Sequence, residues 1–453
     1  MSDAPVRRPS TAERSATATP QAAELEAEHE QIARELASGE RALHQVPRHL
    51  DADVAAAIRR RAAVLRGEAE GRSLALDHIA SYTLDAARAS TQHCENLAGA
   101  AQIPLGLVGP LWVRGEEISE QVLVPMATTE GALLASVNRG CRAITAAGGA
   151  LVWSEEVGMT RAPVFRVGGI EQARRLLAWL DENEERVRRH AEDTSRYLRL
   201  LELRPLVFGG TTVFLRFRFS TGDAMGMNMV TIACDRVVRE LIEPETGVRC
   251  VALSGNYCVD KKSSQVNFQL GRGRRIVAEV VLPREVLART LKTETKALVE
   301  VTLRKNLHGS IAAGAMGFNA QFANVLAALF VATGQDLAHV VEGAMGLTHF
   351  EERDDGAVYA AVTMPDVPLA AVGGGTGLAT QREALALLGI EPDPERPGAA
   401  VRRLAEITGA LVLAGELSLM AAFTSNDLAR AHERLGRAPE GFTGTGGQQS
   451  PSP

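Results

Sequence analysis

The chain has 453 residues, 49 Lys plus Arg against 55 Asp plus Glu, a formal charge of −6 and 45% hydrophobic residues. It can bury a large core, which excludes wholesale disorder and a fibrous fold, and its mildly acidic balance excludes a dedicated nucleic-acid coat. At roughly 100–200 residues per domain the length implies two or three units, and 42 glycines beside 4% aromatics imply many close approaches of backbone to backbone or ligand.

Residues 1–22, rich in Ala, Thr, Ser and Pro and lacking an apolar signal core, read as a disordered leader. Residues 23–66 read as a helical segment, with a charged helix over 24–50 and a second helix starting at Asp51 or Asp53. A large domain begins over 67–162, and from Glu95 its texture turns to Gly, Pro and short apolar runs. The stretch 163–253 carries the order β-α-β-β-α-β: a strand over 163–167, a helix over 170–200, strands over 206–208 and 213–219, a helix over 224–241 and a strand over 249–253. That order is the split βαβ of a ferredoxin-like unit, inserted so that its two ends lie close together, with three tandem domains as the alternative. The large domain resumes over 254–437, where 307–336, small and apolar on nearly every side, reads as a central helix buried all round. Residues 438–453 read as a disordered tail. The expected fold class is mixed α/β (α+β).

The longest apolar stretch, 407–423, is interrupted by Gly and Glu416 before it reaches the ~20 residues of a membrane helix, so a soluble, cytoplasmic protein is expected. Cys94, Cys141, Cys234, Cys250 and Cys258 are irregularly spaced, odd in number and free of a CxxC pair, as reduced structural thiols are. The ten histidines contain no HExxH pair, and no metal is expected.

Four polar groups stand out. Glu130, followed by Gly131 and an apolar run, is either a helix-start residue or a poorly hydrated carboxyl with a raised pKa. Asp260, Lys261 and Lys262 follow a strand and a Ser-Gly-Asn turn, as either a solvated loop or a cationic site. Asp336 closes the small-residue helix, where the macrodipole disfavours an acid by about 0.3–1 kcal/mol, so it calls for a cation or a function. His432 lies near the end of a polar terminal helix and, taken alone, is a surface histidine. Two backbone-rich stretches accompany them. Asp223, Ala224, Met225, Gly226, Met227 and Asn228 open a helix whose free N–H groups suit a phosphate, and Gly373, Gly374, Gly375 and Thr376 form a loop with little side chain to hold a ligand away. Neither matches GxGxxG, and no GxxxxGK occurs, so Rossmann and P-loop readings fail.

The strings ENLAG, VPMATTEG, NRGCRAI, GMTRAPV, GDAMGMNM, SGNYCVDKK, GQD, AVGGGT and AGELSLMAA, in this order, resemble the 3-hydroxy-3-methylglutaryl-coenzyme A (HMG-CoA) reductase family from about residue 95 to 437. DAMGMN and the DKK lysine resemble its class I form, which typically uses NADPH. The resemblance implies a four-electron reduction of the thioester to mevalonate and free coenzyme A, with two NADPH and no metal, through a thiohemiacetal and mevaldehyde. It implies that Lys261 stabilises the oxyanion, that Asp336 hydrogen-bonds this lysine, that Glu130 donates a proton at the carbonyl and that His432 protonates the departing thiolate. By the same resemblance Ser136, Arg161, Ser254, Asn256, Asp260, Lys262, Lys305 and Asn324 line the hydroxymethylglutaryl and pantetheine region. Ser195, Arg196 and Tyr197 match a segment near the NADPH adenosine, with Arg196 suited to the 2′-phosphate, while Asp223 to Asn228 and Gly373 to Thr376 meet the dinucleotide backbone. The implied assembly is a homodimer with the active site between subunits, or a dimer of dimers, with no membrane or nucleic-acid partner. Gln321 stands where the family commonly has His, and Ala438 follows Arg437 where animal members carry a regulated serine. The alternatives are a catalytically dead acyl-CoA-binding scaffold and another acyl-CoA or aldehyde reductase on the same fold.

Overall fold

The computed structural model describes residues 20–424, so residues 1–19, His432 and the tail lie outside the described residues, while the last three residues of the expected leader belong to a helix. The chain divides into two compact units after residue 102, later than the expected break at 66. In the first unit α1 (Pro20–Ser38) and α2 (Ala52–Ala69) enclose a small core of Ile32, Leu36, Val46, Ile58 and Ala62. The helix expected over 24–50 stops at Ser38, where Gly39 takes φ +86, a conformation open to glycine and costly for other residues. The start of α2 is as expected, with the Asp51 side chain accepting the Asp53 N–H at 2.8 Å.

The second unit opens with β1 (Leu105–Arg114) and β2 (Ser119–Ala127), antiparallel neighbours, then α3 (Leu133–Ala146) and β3 (Ala150–Arg161), which lies parallel to β1. There follow β4 (Val164–Arg166), α4 (Ile170–Glu192), β5 (Arg199–Phe208), β6 (Thr212–Ser220), α5 (Met227–Val237) and β7 (Arg249–Ala252). The strands pair in the order β5-β6-β4-β7, all antiparallel, with β4 and β7, the strands from the two ends of the segment, side by side, as a ferredoxin-like unit requires. The helix read over 170–200 ends at Glu192, and the strand read over 206–208 already begins at Arg199. Among the described residues β5 pairs only with β6, and an edge strand carrying Arg199, Glu202 and Arg204 copies the charge texture of a surface helix. In β6 the apolar Val213, Leu215, Phe217 and Phe219 are buried as expected, but so is Arg216, whose guanidinium reaches Asn267 on the other face at 3.4 Å.

The large sheet continues through β8 (Arg272–Leu282), the short β9 (Gly317–Phe318), β10 (Gly346–Glu352) and β11 (Val358–Val367), in the order β3-β8-β11-β10-β9. The expected helix over 307–336 is broken. Its first part ends at Ala313 because Gly314 takes φ +67, a turn and β9 intervene, and α6 (Phe322–Thr333) completes it. The central buried element is instead α7 (Ala399–Thr424), from Ile407 to Leu417 wholly buried. Among the described residues it is long and apolar enough to cross a membrane, unlike the shorter stretch read from the sequence, but 83% of its most apolar window lies inside this unit, as in a core helix.

Two acids on α7 are buried because they serve backbone. Glu416 accepts N–H groups of Ala320 at 2.9 Å and Gln321 at 2.6 Å, just ahead of α6, and the Thr348 hydroxyl at 2.5 Å. Glu406 accepts the Glu116 N–H at 2.9 Å and the Glu117 N–H at 3.1 Å in the β1–β2 turn. Burial pushes both carboxyl groups above their ordinary range.

Glycine sets the spacing of α3 on α7: a Cβ on Gly140 would stand 1.9 Å from the Ala414 carbonyl oxygen. Gly140→Ala should therefore destabilise the protein by roughly 1–3 kcal/mol through overpacking, read as a lower denaturation midpoint with far-ultraviolet circular dichroism retained below it.

Candidate active site

The loop between β7 and β8 is held in conformations that side chains avoid. Asn256, Val259 and Lys261 have φ of +64, +51 and +58, and for β-branched Val259 this is strained backbone, at on the order of 1–3 kcal/mol. The strain persists because the loop is tied down on every side. Thr160 Oγ1 donates to the Cys258 carbonyl at 3.0 Å, Asn267 Nδ2 to the Val259 carbonyl at 3.2 Å, and the Lys261 N–H to Glu342 Oε1 at 3.2 Å. Arg272, on β8 and fully buried, donates to Asp260 Oδ1 at 2.5 Å and to Glu342 Oε1 at 3.0 Å.

This scaffold presents the Lys261 ammonium to Asp336 Oδ2 at 2.8 Å. Asp336 is not at a helix C-terminus: α6 ends at Thr333 with Gly334 in the left-handed region, and Asp336 caps the next turn by accepting the Ala338 N–H at 3.1 Å. The macrodipole therefore favours its charge. Burial raises the Asp336 carboxyl, but the hydrogen bond from Lys261, the Ala338 N–H and the nearby charges of His339 and Lys261 outweigh it and hold the group below the ordinary carboxylate value. Lys262 is exposed, with its Nζ 3.2 Å from the Asp260 carbonyl, and Ser254 lies 3.6 Å from Cys258 Sγ. Arg161, at the end of β3, donates from Nε and Nη2 to Thr231 Oγ1 on α5 at 3.0 and 2.7 Å.

Both glycine-rich stretches reach this region. Ala224 bridges Val372, and the Asp223 carbonyl accepts the N–H groups of Ala371 at 2.8 Å and Val372 at 3.2 Å. A Cβ on Gly334, two residues before Asp336, would stand 2.4 Å from the Gly375 carbonyl oxygen, so the glycine loop lies directly on the turn that carries the acid. Gly226, at φ +89, precedes the first turn of α5. The Asp223 carboxylate is spoken for, accepting the Val401 N–H at 3.0 Å in the first turn of α7. The turn of Ser195, Arg196 and Tyr197 lies beside this loop: Arg196 stacks over the Tyr197 ring at 4.6 Å, and a Cβ on Gly222 would come within 3.9 Å of Tyr197 Cβ.

The remaining candidates make contacts of their own. Glu130 is exposed, in the loop before α3 rather than in its first turn, and Asn324 Nδ2 donates to its Oε1 at 3.3 Å. Ser136 Oγ donates to Ser418 Oγ at 3.0 Å. Lys305 is half-buried, with Nζ 3.3 Å from Asn306 Oδ1 and 5.2 Å from the Phe423 ring centre; burial lowers its pKa against the opposing Glu416 charge. Gln321 is buried, its amide donating to the Gly415 carbonyl and its N–H to Glu416, so it serves packing rather than a ligand. No hydrogen bond or ion pair among the described residues directly joins Glu130 or Asn324 to Lys261 or Asp336.

Arg272, His339 and Glu342 were missed in the sequence. Arg272 reads as one basic residue of an alternating strand, and Glu342 as a surface acid of a short helix. Asp260, His339 and Glu342 bring ligand-type atoms within 4.8 Å of one another, but the Arg272 guanidinium already bonds two of them and supplies the positive charge.

The family model for hydroxymethylglutaryl-coenzyme A reductase matches residues 56–437. The chain is 50% identical over 405 residues to the 3-hydroxy-3-methylglutaryl-coenzyme A reductase of Methanothermobacter thermautotrophicus, covering 89% of this chain and 98% of the relative. It is 44% identical over 411 residues to that of Pyrococcus abyssi, covering 90% and 99%. Its fold is similar to that of the class II reductase of Streptococcus pneumoniae bound to NADPH, with a TM-score of 0.60 and 18% identity over 75% of this chain and 89% of that one.

Lys261→Met should return the Asp336 carboxyl towards its ordinary value, read as an upward move of its side-chain carbon NMR titration midpoint. A depressed carboxylate adds stability above the unfolded pKa of roughly 3.9 and loses it as pH falls through the folded value. The stability difference between wild type and Lys261→Met should therefore be at most about 1 kcal/mol for this partly exposed pair and shrink below a pH of roughly 4.

Proposed function

Since the chain belongs to the hydroxymethylglutaryl-coenzyme A reductase family, we propose that the Lys261–Asp336 pair is the centre at which it reduces HMG-CoA to mevalonate. The overall reaction consumes one HMG-CoA, two NADPH and two protons and gives mevalonate, free coenzyme A and two NADP⁺, in the mevalonate route to isoprenoids. The observation that carries the assignment of residues is the 2.8 Å ion pair standing beside the glycine loop on a strained, fully tethered loop.

Each hydride arrival at a carbonyl carbon leaves negative charge on the oxygen, and the Lys261 ammonium is the cation that meets it. A preorganised donor of this kind contributes on the order of 3–4 kcal/mol to the barrier. Asp336 keeps the ammonium charged and aimed. Arg161, Lys262 and Lys305 provide cations for the free carboxylate of the substrate, with Ser136, Ser254, Asn256, Asp260 and Asn324 as polar lining. Glu130 supplies a proton at the carbonyl, and His432 protonates the leaving thiolate.

The residues present fit a dinucleotide. Gly373 and Gly374 have positive φ and nothing within 4 Å of the place a Cβ would take, which leaves that backbone open to phosphates. Gly226 exposes the α5 N-terminus beside it, and Arg196, stacked on Tyr197, is suited to a 2′-phosphate. NADPH, when bound, supplies the hydride; the 163–253 unit and the glycine loop hold it.

We assign the chain to the class I form, with an assembly in which a second copy completes the site. DAMGMN and the lysine of DKK support the class. The lack, among the described residues, of a hydrogen bond or ion pair joining Glu130 and Asn324 to Lys261 and Asp336 supports the assembly, as do the half-exposed Leu107, Leu123, Leu151 and Trp153 on β1, β2 and β3. A homodimer or dimer of dimers in the cytoplasm is the corresponding reading.

Purified protein should oxidise two equivalents of NADPH per mevalonate formed, only when HMG-CoA is present, and Lys261→Ala should lower kcat at least 100-fold with either HMG-CoA or mevaldehyde. Absence of turnover with both NADPH and NADH would overturn the enzyme reading in favour of an acyl-CoA-binding scaffold. Arg196→Ala should raise the KM for NADPH about 10-fold and leave that for NADH within twofold; an unchanged cofactor preference would remove Arg196 from the phosphate site.

A further inference from the structure

The assignment above, on which this inference rests, leaves two buried groups beside the ion pair without a task. His339 closes the short turn that Asp336 caps and is 0% exposed. Its Nδ1 lies 2.6 Å from Glu342 Oε1, while its Nε2, without a hydrogen-bond partner among the described residues, stands 3.6 Å from Asp336 Oδ2, the oxygen that meets the Lys261 ammonium. Glu342 Oε1 in turn receives the Lys261 backbone N–H and Arg272. One carboxylate oxygen thus grips the backbone of the lysine and, through an imidazole, faces its acid.

Where Glu342 accepts a hydrogen bond from Nδ1–H, the Nε2 of the neutral ring carries a lone pair, and only the doubly protonated ring presents an N–H there. A lone pair beside the Asp336 carboxylate repels it, whereas an N–H attracts it. The charged and titratable groups around the ring are Asp336 and Glu342 from its own segment, Asp260 and Lys261 from the strained loop, and Arg272 from β8. We propose that His339, held by Glu342, is a positioning residue for the reduction: its Nε2 sets where the Asp336 carboxylate stands and so how the Lys261 ammonium is aimed.

Two substitutions separate the ends of the ring. His339→Asn keeps a donor near the Nδ1 position for Glu342 and drops the Nε2 end, while His339→Gln keeps a neutral donor near Nε2. With HMG-CoA and separately with mevaldehyde, kcat of His339→Asn should fall 10-fold or more with each KM within twofold, because both hydride steps use Lys261. His339→Gln should recover most of kcat, and the kcat–pH profiles of both variants should differ from that of the wild type. In histidine-labelled wild-type protein, the nitrogen NMR resonance of His339, assigned by its loss in His339→Asn, should shift its titration midpoint on Asp336→Asn. Wild-type kcat and pH profile in His339→Asn would overturn the proposal. So would equal losses in both variants with a lowered Tm and an unchanged profile, the mark of a packing role alone. A wild-type protein without HMG-CoA turnover would instead remove the functional assignment, and the NMR titration would then decide the His339–Asp336 coupling: an unmoved midpoint overturns it.

Discussion

The contact between Arg272 and Glu342, both without exposed side-chain surface, is what the candidate site is built on. Two ions withdrawn from water cost several kcal/mol each unless their bonding is nearly complete. Here Glu342 Oε1 gathers the Lys261 N–H, Arg272 and His339, with Oε2 left unpartnered among the described residues, and Arg272 spends its remaining donors on Asp260, Thr160 and Met227 Sδ. Removing Glu342 would leave Arg272 with Asp260 as its one ionic partner among the described residues, removing Arg272 would leave Glu342 without its guanidinium, and either change would loosen the loop whose strained backbone aims Lys261. The same network accounts for Asp366, a buried acid pushed well above its ordinary pKa by burial, with Asn267 donating to it at 2.8 Å while also holding the Val259 carbonyl.

Glycine does a second, separate job. Asp336 can sit against the glycine loop because Gly334 and Gly375 let two backbones approach to distances that a Cβ forbids. The spacing of α3 on α7 at Gly140 and of β8 on α7 at Gly409 follows the same rule, the second against the Ile276 side chain. An aromatic-poor core therefore closes through small residues brought into direct contact rather than through large rings filling space.

Charge is used locally. The total of −6 conceals cations at Arg161, Lys261, Lys262 and Lys305, suited to an anionic thioester, while buried Glu406 and Glu416 are consumed by backbone N–H groups. Charge balance over the whole chain carries no information about either arrangement, because both depend on which groups lose water.

The sequence by itself determined whatever depends on near neighbours or on whole motifs. The βαββαβ order followed from periodicity, the start of α2 from Asp51, and the family from strings whose order leaves little room for another reading. Neighbour-based reasoning failed where long-range contacts override local texture. An edge strand at 199–208 carries the charge pattern of a helix, and 307–336 is cut by Gly314 into two helices although its composition is uniform. Asp336 is a cap, not a helix end. Only tertiary structure decided that Arg272, His339 and Glu342 belong to the site, since residues up to 81 positions apart converge on one carboxylate oxygen and nothing in their own surroundings marks them. Burial turned ordinary surface-type residues into a scaffold, and burial is a property of the fold rather than of any local stretch of chain.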